Sequence, residues 1–74
     1  MDMFCLVRLH ARTAIADGVS PELVRETIQR AGLYCQLRPL QIDRPSDPLR
    51  DMDLYRACGN AIELLDWLSE RSRG

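Results

Sequence analysis

Residues 46–72, with the sequence SDPLRDMDLYRACGNAIELLDWLSERS, decide the fold because they predict one long amphipathic helix. Ser46 or Asp47 is placed to accept a hydrogen bond from a free backbone N–H of the first turn. Pro48 suits the first helical position, where no N–H is needed. Arg71 lies near the other end, where the helix dipole favours positive charge. The stretch therefore carries a start signal and a compatible end.

The predicted helix is longer than the expected width of the whole domain. At about 1.5 Å per residue it extends about 39 Å, whereas a chain of 74 residues has an expected radius of gyration of about 11 Å. We therefore expect one end of the helix to overhang the rest of the molecule, unless the helix kinks. Gly59 is the natural kink site, because a glycine inside a helix weakens it by about 1 kcal/mol relative to alanine.

Apolar residues of this helix share one broad arc, roughly 160° wide when each residue turns by about 100°. They are Leu54, Ala57, Cys58, Ala61, Ile62, Leu64, Leu65 and Leu68, with Tyr55 at the edge. A subset steps alternately by four and three residues from Leu54 to Leu68, a heptad seam too short to indicate a coiled coil. Two interpretations stay open. The face is either the core of the monomer or a surface that pairs with a helix of a second copy.

Trp67 lies about 60° beyond this arc, on the side of the helix that carries Leu49, Arg56, Asn60 and Glu63. Tryptophan and arginine are enriched at the centres of protein interfaces. We therefore predict that these five residues, the Trp67 strip, bind a partner. In the other interpretation the first segment of the chain folds over Trp67 and buries it.

Residues 2–17 fit either a helix or a strand. Helical spacing places one set of apolar side chains on a single face, namely Phe4, Val7, Ala11, Ala14 and Ile15. Residues 5–12 also alternate as a strand would. The alanine-rich run before Gly18, which is placed to end a helix, favours the helix. The strand would give a small α+β protein of order strand–helix–strand–helix, and its two-stranded sheet would favour a dimer.

The middle of the chain predicts a short helix and then an extended segment. In residues 20–31, Ser20 caps the helix, Pro21 begins it and Gly32 ends it. Its apolar face is Leu23, Val24, Ile28 and Ala31. Residues 33–42 are predicted as an extended segment, because apolar and polar positions alternate over residues 33–38. Pro39 confines any strand there to a sheet edge. We therefore predict a mostly α single domain: two short helices joined by a tight turn, an extended middle segment and one long C-terminal amphipathic helix.

The junction of the two short helices carries a second pattern, formed by Ala14, Gly18, Val19, Ser20, Val24 and Ile28. Over about fifteen residues this pattern resembles the turn of a bacterial helix-turn-helix regulator. The resemblance implies that a small alanine lets the helices cross closely and that the glycine adopts a positive φ. It also implies a DNA-binding function with contacts from Ser20, Arg25, Gln29 and Arg30.

The same pattern departs from the regulators at several positions. His10 and Thr13 stand where those proteins tend to have apolar residues, and Glu22 and Glu26 would face phosphates. The composition adds to this, because ten arginines and no lysine stand against eleven acidic residues, for a net charge of −1. A balance of this kind argues against strong non-specific binding of nucleic acid.

The sequence also indicates the cellular compartment and limits the stability that the core can supply. The chain begins with Met1 and Asp2, an acid where a signal peptide has basic charge, and its longest apolar run, residues 3–7, is too short to cross a membrane. Three cysteines fit reduced thiols, so we expect a cytoplasmic protein. A core of this size rarely supplies more than about 3–5 kcal/mol, so a partner or a second copy would help.

Residues able to carry chemistry are sparse. Cys5, His10, Cys35 and Cys58 make a Cys₃His set, but they lack the close pairs that zinc sites usually have. No glycine-rich phosphate loop is present, and no group is placed to orient a Cys–His pair. We therefore expect no metal, no cofactor and no catalytic site.

The function that these observations favour is a small non-enzymatic regulator or inhibitor that binds another protein, or itself as a homodimer, through its C-terminal helix. In its small size and its lack of residues placed for chemistry, such a chain is similar to small phage-encoded inhibitors of host proteins. The alternative is a DNA-binding transcriptional regulator that uses residues 14–30.

Overall fold

A computed structural model of the chain describes residues 3–36, 41–43 and 51–74. In chain order the elements are α1 (Met3–Ala16), α2 (Pro21–Arg30), β1 (Tyr34–Gln36), β2 (Gln41–Asp43) and α3 (Asp51–Arg73). The architecture is mostly α, with two short helices, an extended middle and a long C-terminal helix, as the sequence predicts. No helix in these ranges is long and apolar enough to span a lipid bilayer.

Helix α1 settles the first ambiguity of the sequence. A strand would place Val7 and Leu9 on the same face, but Val7 is fully buried and Leu9 is 53% exposed. The side chains that α1 buries are Phe4, Val7, Ala11 and Ala14. Their spacing is helical, so the strand–helix–strand–helix alternative is wrong.

Both short helices end at a glycine in the left-handed region of the backbone. Gly18 has φ 104° and Gly32 has φ 100°, a conformation that glycine adopts without the strain of a Cβ. At the end of α1, the N–H of Gly18 donates to the carbonyl of Ile15 and the N–H of Val19 donates to that of Ala14. This pair of bonds is the Schellman motif, and the same pair closes α2. The two predicted helix ends are confirmed.

The start of α2 is only partly as predicted. Pro21 begins the helix, and Ser20 occupies the N-cap position, but the Ser20 side chain makes no capping hydrogen bond. The prediction of a side-chain cap is therefore wrong. The backbone carbonyl of Ser20 accepts from the N–H of Val24 at 3.0 Å, which closes the first turn. Leu23, expected on the apolar face, is 41% exposed.

The extended middle is a small hairpin. β1 and β2 pair antiparallel, with Tyr34 opposite Asp43 and Gln36 opposite Gln41. The single predicted strand is thus two strands of three residues each. Leu33 and Ile42 are buried in the core, which attaches the hairpin to the helices. Pro39 lies outside the described residues.

Helix α3 forms the long side of the molecule. Its 23 residues extend about 34 Å, close to the 37 Å of the longest dimension. It runs through Gly59 without a break. Helix α1 packs along it, and the small residues Ala11, Ala14, Cys58 and Ala61 are fully buried there. The heptad seam is therefore core of the monomer and not a surface for a second helix.

The C-terminal end of α3 is held against the α1–α2 turn. The hydroxyl of Ser72 donates to the backbone carbonyl of Asp17 at 2.8 Å. Nε of Arg73 lies 3.5 Å from Oδ2 of Asp17, an ion-pair distance too long for a strong hydrogen bond. The predicted overhang is therefore absent at this end. The predicted helix start at Ser46, Asp47 and Pro48 lies outside the described residues.

Candidate functional site

Trp67 lies on α3 where α2 approaches it, and 52% of its surface is exposed. Its ring forms part of a groove of about 190 Å³ between the two helices. The other lining residues are Leu23, Thr27, Arg30, Leu64 and Leu68. All of them belong to α2 or α3, so α2, and not the first segment of the chain, borders the tryptophan.

The rim of the groove is apolar. Among the described residues, five large hydrophobic side chains are exposed, and three of them, Leu23, Leu64 and Trp67, line this groove. Scattered exposed leucines are normal on a protein surface, whereas a cluster is typical of a binding site. Leu23 and Leu64 come from different helices, so the cluster exists only because α2 packs against α3.

Thr27 closes the groove on the α2 side without offering a free polar group. Its side chain is nearly buried, and its hydroxyl donates to the backbone carbonyl of Leu23 at 2.7 Å. A hydroxyl that is satisfied within its own helix does not need a ligand as a partner. The groove therefore favours an apolar group.

Two arginines flank the groove. The guanidinium carbon of Arg71 lies 4.6 Å from the centroid of the Trp67 ring, a cation–π arrangement. Arg30 donates to Glu26 at 2.7 Å, one helical turn earlier on α2. Arg71 has no carboxylate partner among the described residues. Its charge is accordingly available to an incoming group.

The Trp67 strip predicted from the sequence lies beside this groove. Arg56, Asn60 and Glu63 are exposed on α3 together with Trp67. Leu49 lies outside the described residues. None of the three lines the groove, so the strip extends the surface along the helix and the groove adds depth at its tryptophan end.

Sequence reasoning missed the residues that give the site its depth. The sequence predicts Leu64 on the apolar arc, although its position three residues before Trp67 makes the two neighbours on the helix surface. It also predicts Leu23 on the apolar face of α2. No local signal identifies Leu23 as a groove residue, because its exposure depends on the angle at which α2 meets α3. Arg30 is predicted as a contact for DNA only.

The alternative set for DNA is also on the surface. Ser20, Gln29 and Arg30 are exposed and Arg25 is half-buried. The apolar residues of the helix-turn-helix pattern, Ala14, Val19, Val24 and Ile28, are buried, and Gly18 has the positive φ that the turn needs. The exposed face of α2 also carries Glu22 and Glu26, and Glu26 holds Arg30.

A second depression, of about 250 Å³, lies on α1 alone. Its lining residues are Cys5, Arg8, Leu9 and Arg12. They belong to consecutive turns of one helix, so the depression is the outer surface of α1 and not a space between elements. It is more open than the groove at Trp67.

The described residues do not assemble the Cys₃His set. Cys5 is exposed, whereas Cys58 is buried in the core. Nδ1 of His10 lies 2.6 Å from Oδ1 of Asp66, and a carboxylate only accepts, so the imidazole donates. No group of three potential metal ligands is found in the part of the chain that the structure describes. The side chain of Cys35 lies outside that part.

No family model, curated protein or solved structure matches this chain. A function can accordingly be argued only from the chain's own surface. The feature that stands out on that surface is the groove between α2 and α3, with its exposed tryptophan, two exposed leucines and the arginine stacked on the ring.

Proposed function

We propose that this chain is a small non-enzymatic protein-binding regulator or inhibitor, and that its binding surface is the groove together with the Trp67 strip. The observation that carries the proposal is the exposure of Trp67 beside Leu23 and Leu64. Tryptophan and arginine are the residue types most enriched in interface hot spots, and here Arg71 stacks on the ring.

The exposed half of Trp67 is a sizeable source of binding free energy. A tryptophan side chain buries roughly 150–250 Å², and 52% of the Trp67 surface is still exposed. At about 25 cal/mol per Å², burying that remainder contributes about 2–3 kcal/mol. A partner that covers Trp67 would therefore gain from this residue alone an amount comparable to a hot spot.

The size of the groove favours a protein partner over a small molecule. Its volume is about 190 Å³, whereas pockets for drug-sized ligands span about 300–1,000 Å³ and enclose most of the ligand. A space of this size suits one apolar side chain inserted from another protein surface. The other described residues of the Trp67 strip, Arg56, Asn60 and Glu63, then supply a polar margin.

Three further features support a non-enzymatic function in a reducing compartment. His10, the one histidine of the chain, is bound to Asp66 and does not line the groove. The groove residues include no nucleophile paired with a base. The exposed thiol of Cys5 fits a reducing compartment such as the cytoplasm.

The test compares Trp67→Ala with a matched control on the same helix. Tyr55 is an aromatic residue of α3 that is 65% exposed and lies outside the groove. Proteins that co-purify with the wild type are identified, and their affinities are measured for the wild type, Trp67→Ala and Tyr55→Ala. We expect Trp67→Ala to weaken binding at least about tenfold and Tyr55→Ala to leave it unchanged. Equal affinity of all three proteins would contradict the proposal.

DNA binding through α2 is the second candidate, supported by the buried helix-turn-helix pattern around Gly18. It predicts affinity that falls steeply with salt, because phosphate contacts release counterions. The variant Arg25→Ala, Arg30→Ala would then lose sequence-specific binding, whereas Trp67→Ala would not. An interface built on Trp67 predicts the opposite pattern and a weak dependence on salt.

A further inference from the structure

Glu63, Trp67 and Arg71 follow one another at four-residue steps along α3, and all three are exposed. Residues four apart form a ridge on a helix surface. In the most frequent class of helix packing, such ridges of one helix fit into the grooves between the ridges of the other. The ridge has an acid on one side of the tryptophan and a base on the other.

The two charges of the ridge, Glu63 and Arg71, have no ion-pair partner among the described residues. They are eight positions apart, about 12 Å along the helix, so they do not reach each other. Arg71 instead stacks on Trp67, 4.6 Å from the ring centroid.

We propose that the occupant of this surface is a second copy of the chain, paired about a two-fold axis at Trp67 with the two α3 helices antiparallel. This inference rests on the proposed function, because it assigns a partner to the same surface. A two-fold interface is self-complementary: whatever lies four residues before the axis faces whatever lies four residues after it. Glu63 of each copy therefore faces Arg71 of the other, which gives two ion pairs around the central tryptophans.

Charge selects this arrangement over the alternatives. A parallel pair of α3 helices would set Glu63 against Glu63 and Arg71 against Arg71, and like charges repel. The depression on α1 does not fit a second copy, because its charged residues, Arg8 and Arg12, are both basic. Of these two surfaces, the ridge at Trp67 is thus the one whose charges complement themselves.

The groove gives the second copy a place for its aromatic ring. Leu23 and Leu64 lie beside Trp67 and remain exposed in a single chain. At a two-fold contact centred on Trp67, the tryptophans approach each other, and the edge of each ring is covered by these leucines. Two aromatic rings that approach each other favour an offset or edge-to-face arrangement over direct stacking. The polar residues Arg56 and Asn60 lie farther from the axis, at the margin.

The experiment is a charge exchange followed by the solution mass. Sedimentation equilibrium is measured from low micromolar to near-millimolar concentration for the wild type, Glu63→Arg, Arg71→Glu and the double exchange. The wild type should shift from 8.5 kDa towards twice that mass. Each single exchange sets like charges opposite each other and should weaken the dimer at least about tenfold, and the double exchange should restore it to within about threefold.

The fluorescence of Trp67 supplies an independent readout, because it is the one tryptophan of the chain. Its emission should move to shorter wavelength as the wild type is concentrated. Circular dichroism of each variant verifies that the helices are intact. A wild type that stays at 8.5 kDa throughout, or a dimer that the single exchanges leave unchanged, would overturn the two-fold pairing.

The two proposals fail in different ways. A monomeric wild type whose binding to another protein still depends on Trp67 would overturn self-pairing and leave the proposed function standing. A dimer that Trp67→Ala leaves as tight as in the wild type would overturn pairing at Trp67, because the contact between copies would then lie elsewhere. The proposed function would fall only if Trp67→Ala also left the affinity for co-purifying proteins unchanged.

Discussion

The hydroxyl of Ser72 donates to the backbone carbonyl of Asp17 at 2.8 Å, across a sequence separation of 55 residues. The bond joins the last turn of α3 to the segment that follows α1. A carbonyl at a helix C-terminus lacks an intrahelical partner, so Ser72 satisfies an acceptor of α1 from another element. Gly18 lies next to this bond, and a Cβ built on Gly18 would stand 3.0 Å from the Ser72 hydroxyl oxygen.

Gly18→Ala should therefore destabilise the fold by two routes. The left-handed backbone at φ 104° costs an alanine about 1–2 kcal/mol, partly offset by a less flexible unfolded chain. The new methyl would also stand 3.0 Å from the Ser72 hydroxyl oxygen, which must shift by a few tenths of an ångström. That shift would weaken a hydrogen bond that contributes about 0.5–1.5 kcal/mol. We expect a loss of about 1–2 kcal/mol in the free energy of unfolding, measured by urea denaturation followed by circular dichroism.

Gly32→Ala is the matched control for the second route. Gly32 has nearly the same φ, but among the described residues its added Cβ would meet the side chain of Ala57 alone, at 3.8 Å, an ordinary contact. It should show the backbone strain alone and a smaller loss than Gly18→Ala. In a Ser72→Ala background the two substitutions should cost the same. If Gly18→Ala lowered the free energy of unfolding equally with and without Ser72→Ala, the hydrogen bond would not be coupled to the turn.

What the sequence predicts well here is local. Gly18 and Gly32 end their helices because a positive φ is a property of single residues and their immediate neighbours. The apolar face of α1 follows from helical periodicity, which the chain carries in itself. These signals need no knowledge of how the elements meet, and they give the element order and most of the core.

What the sequence misses depends on contacts between elements. Leu23 and Leu64 belong to apolar faces by periodicity, yet both remain exposed at the groove between α2 and α3. The sequence predicts one extended segment because the alternation of residues 33–38 does not continue into β2, so no signal marks a second strand. The depth of the candidate site is thus a tertiary property, whereas Trp67 is visible in the sequence as an apolar residue outside the arc.

Gly59→Ala should stabilise the protein. Gly59 lies inside α3, which continues through it, and a Cβ added there meets no atom of the described residues within 4 Å. Alanine is better than glycine in a helix interior by about 0.5–1 kcal/mol, and no steric cost offsets that gain. We expect the urea midpoint to rise with an unchanged slope. A lower midpoint would mean that α3 needs a bend at Gly59 that only glycine provides.

The pair of His10 and Asp66 should add a modest, salt-sensitive coupling between α1 and α3. Their side chains are 31% and 55% exposed, so solvent screens the interaction. A double-mutant cycle with His10→Ala and Asp66→Ala should give a coupling of about 0.2–1 kcal/mol. Molar salt should reduce it. Zero coupling would show that the 2.6 Å contact brings no net stabilisation.

Leu64 and Leu65 should separate binding from folding, because they are neighbours in sequence with opposite environments. Leu65 is fully buried, whereas Leu64 is 43% exposed and lines the groove. Leu65→Ala should cost about 2–5 kcal/mol, much of the stability available to a domain of this size. Leu64→Ala should change the free energy of unfolding by less than about 1 kcal/mol and yet weaken association at the Trp67 surface. The measurements are urea denaturation and sedimentation on the same samples. If Leu64→Ala left association unchanged, the groove would have no part in binding; if it cost as much stability as Leu65→Ala, Leu64 would belong to the core.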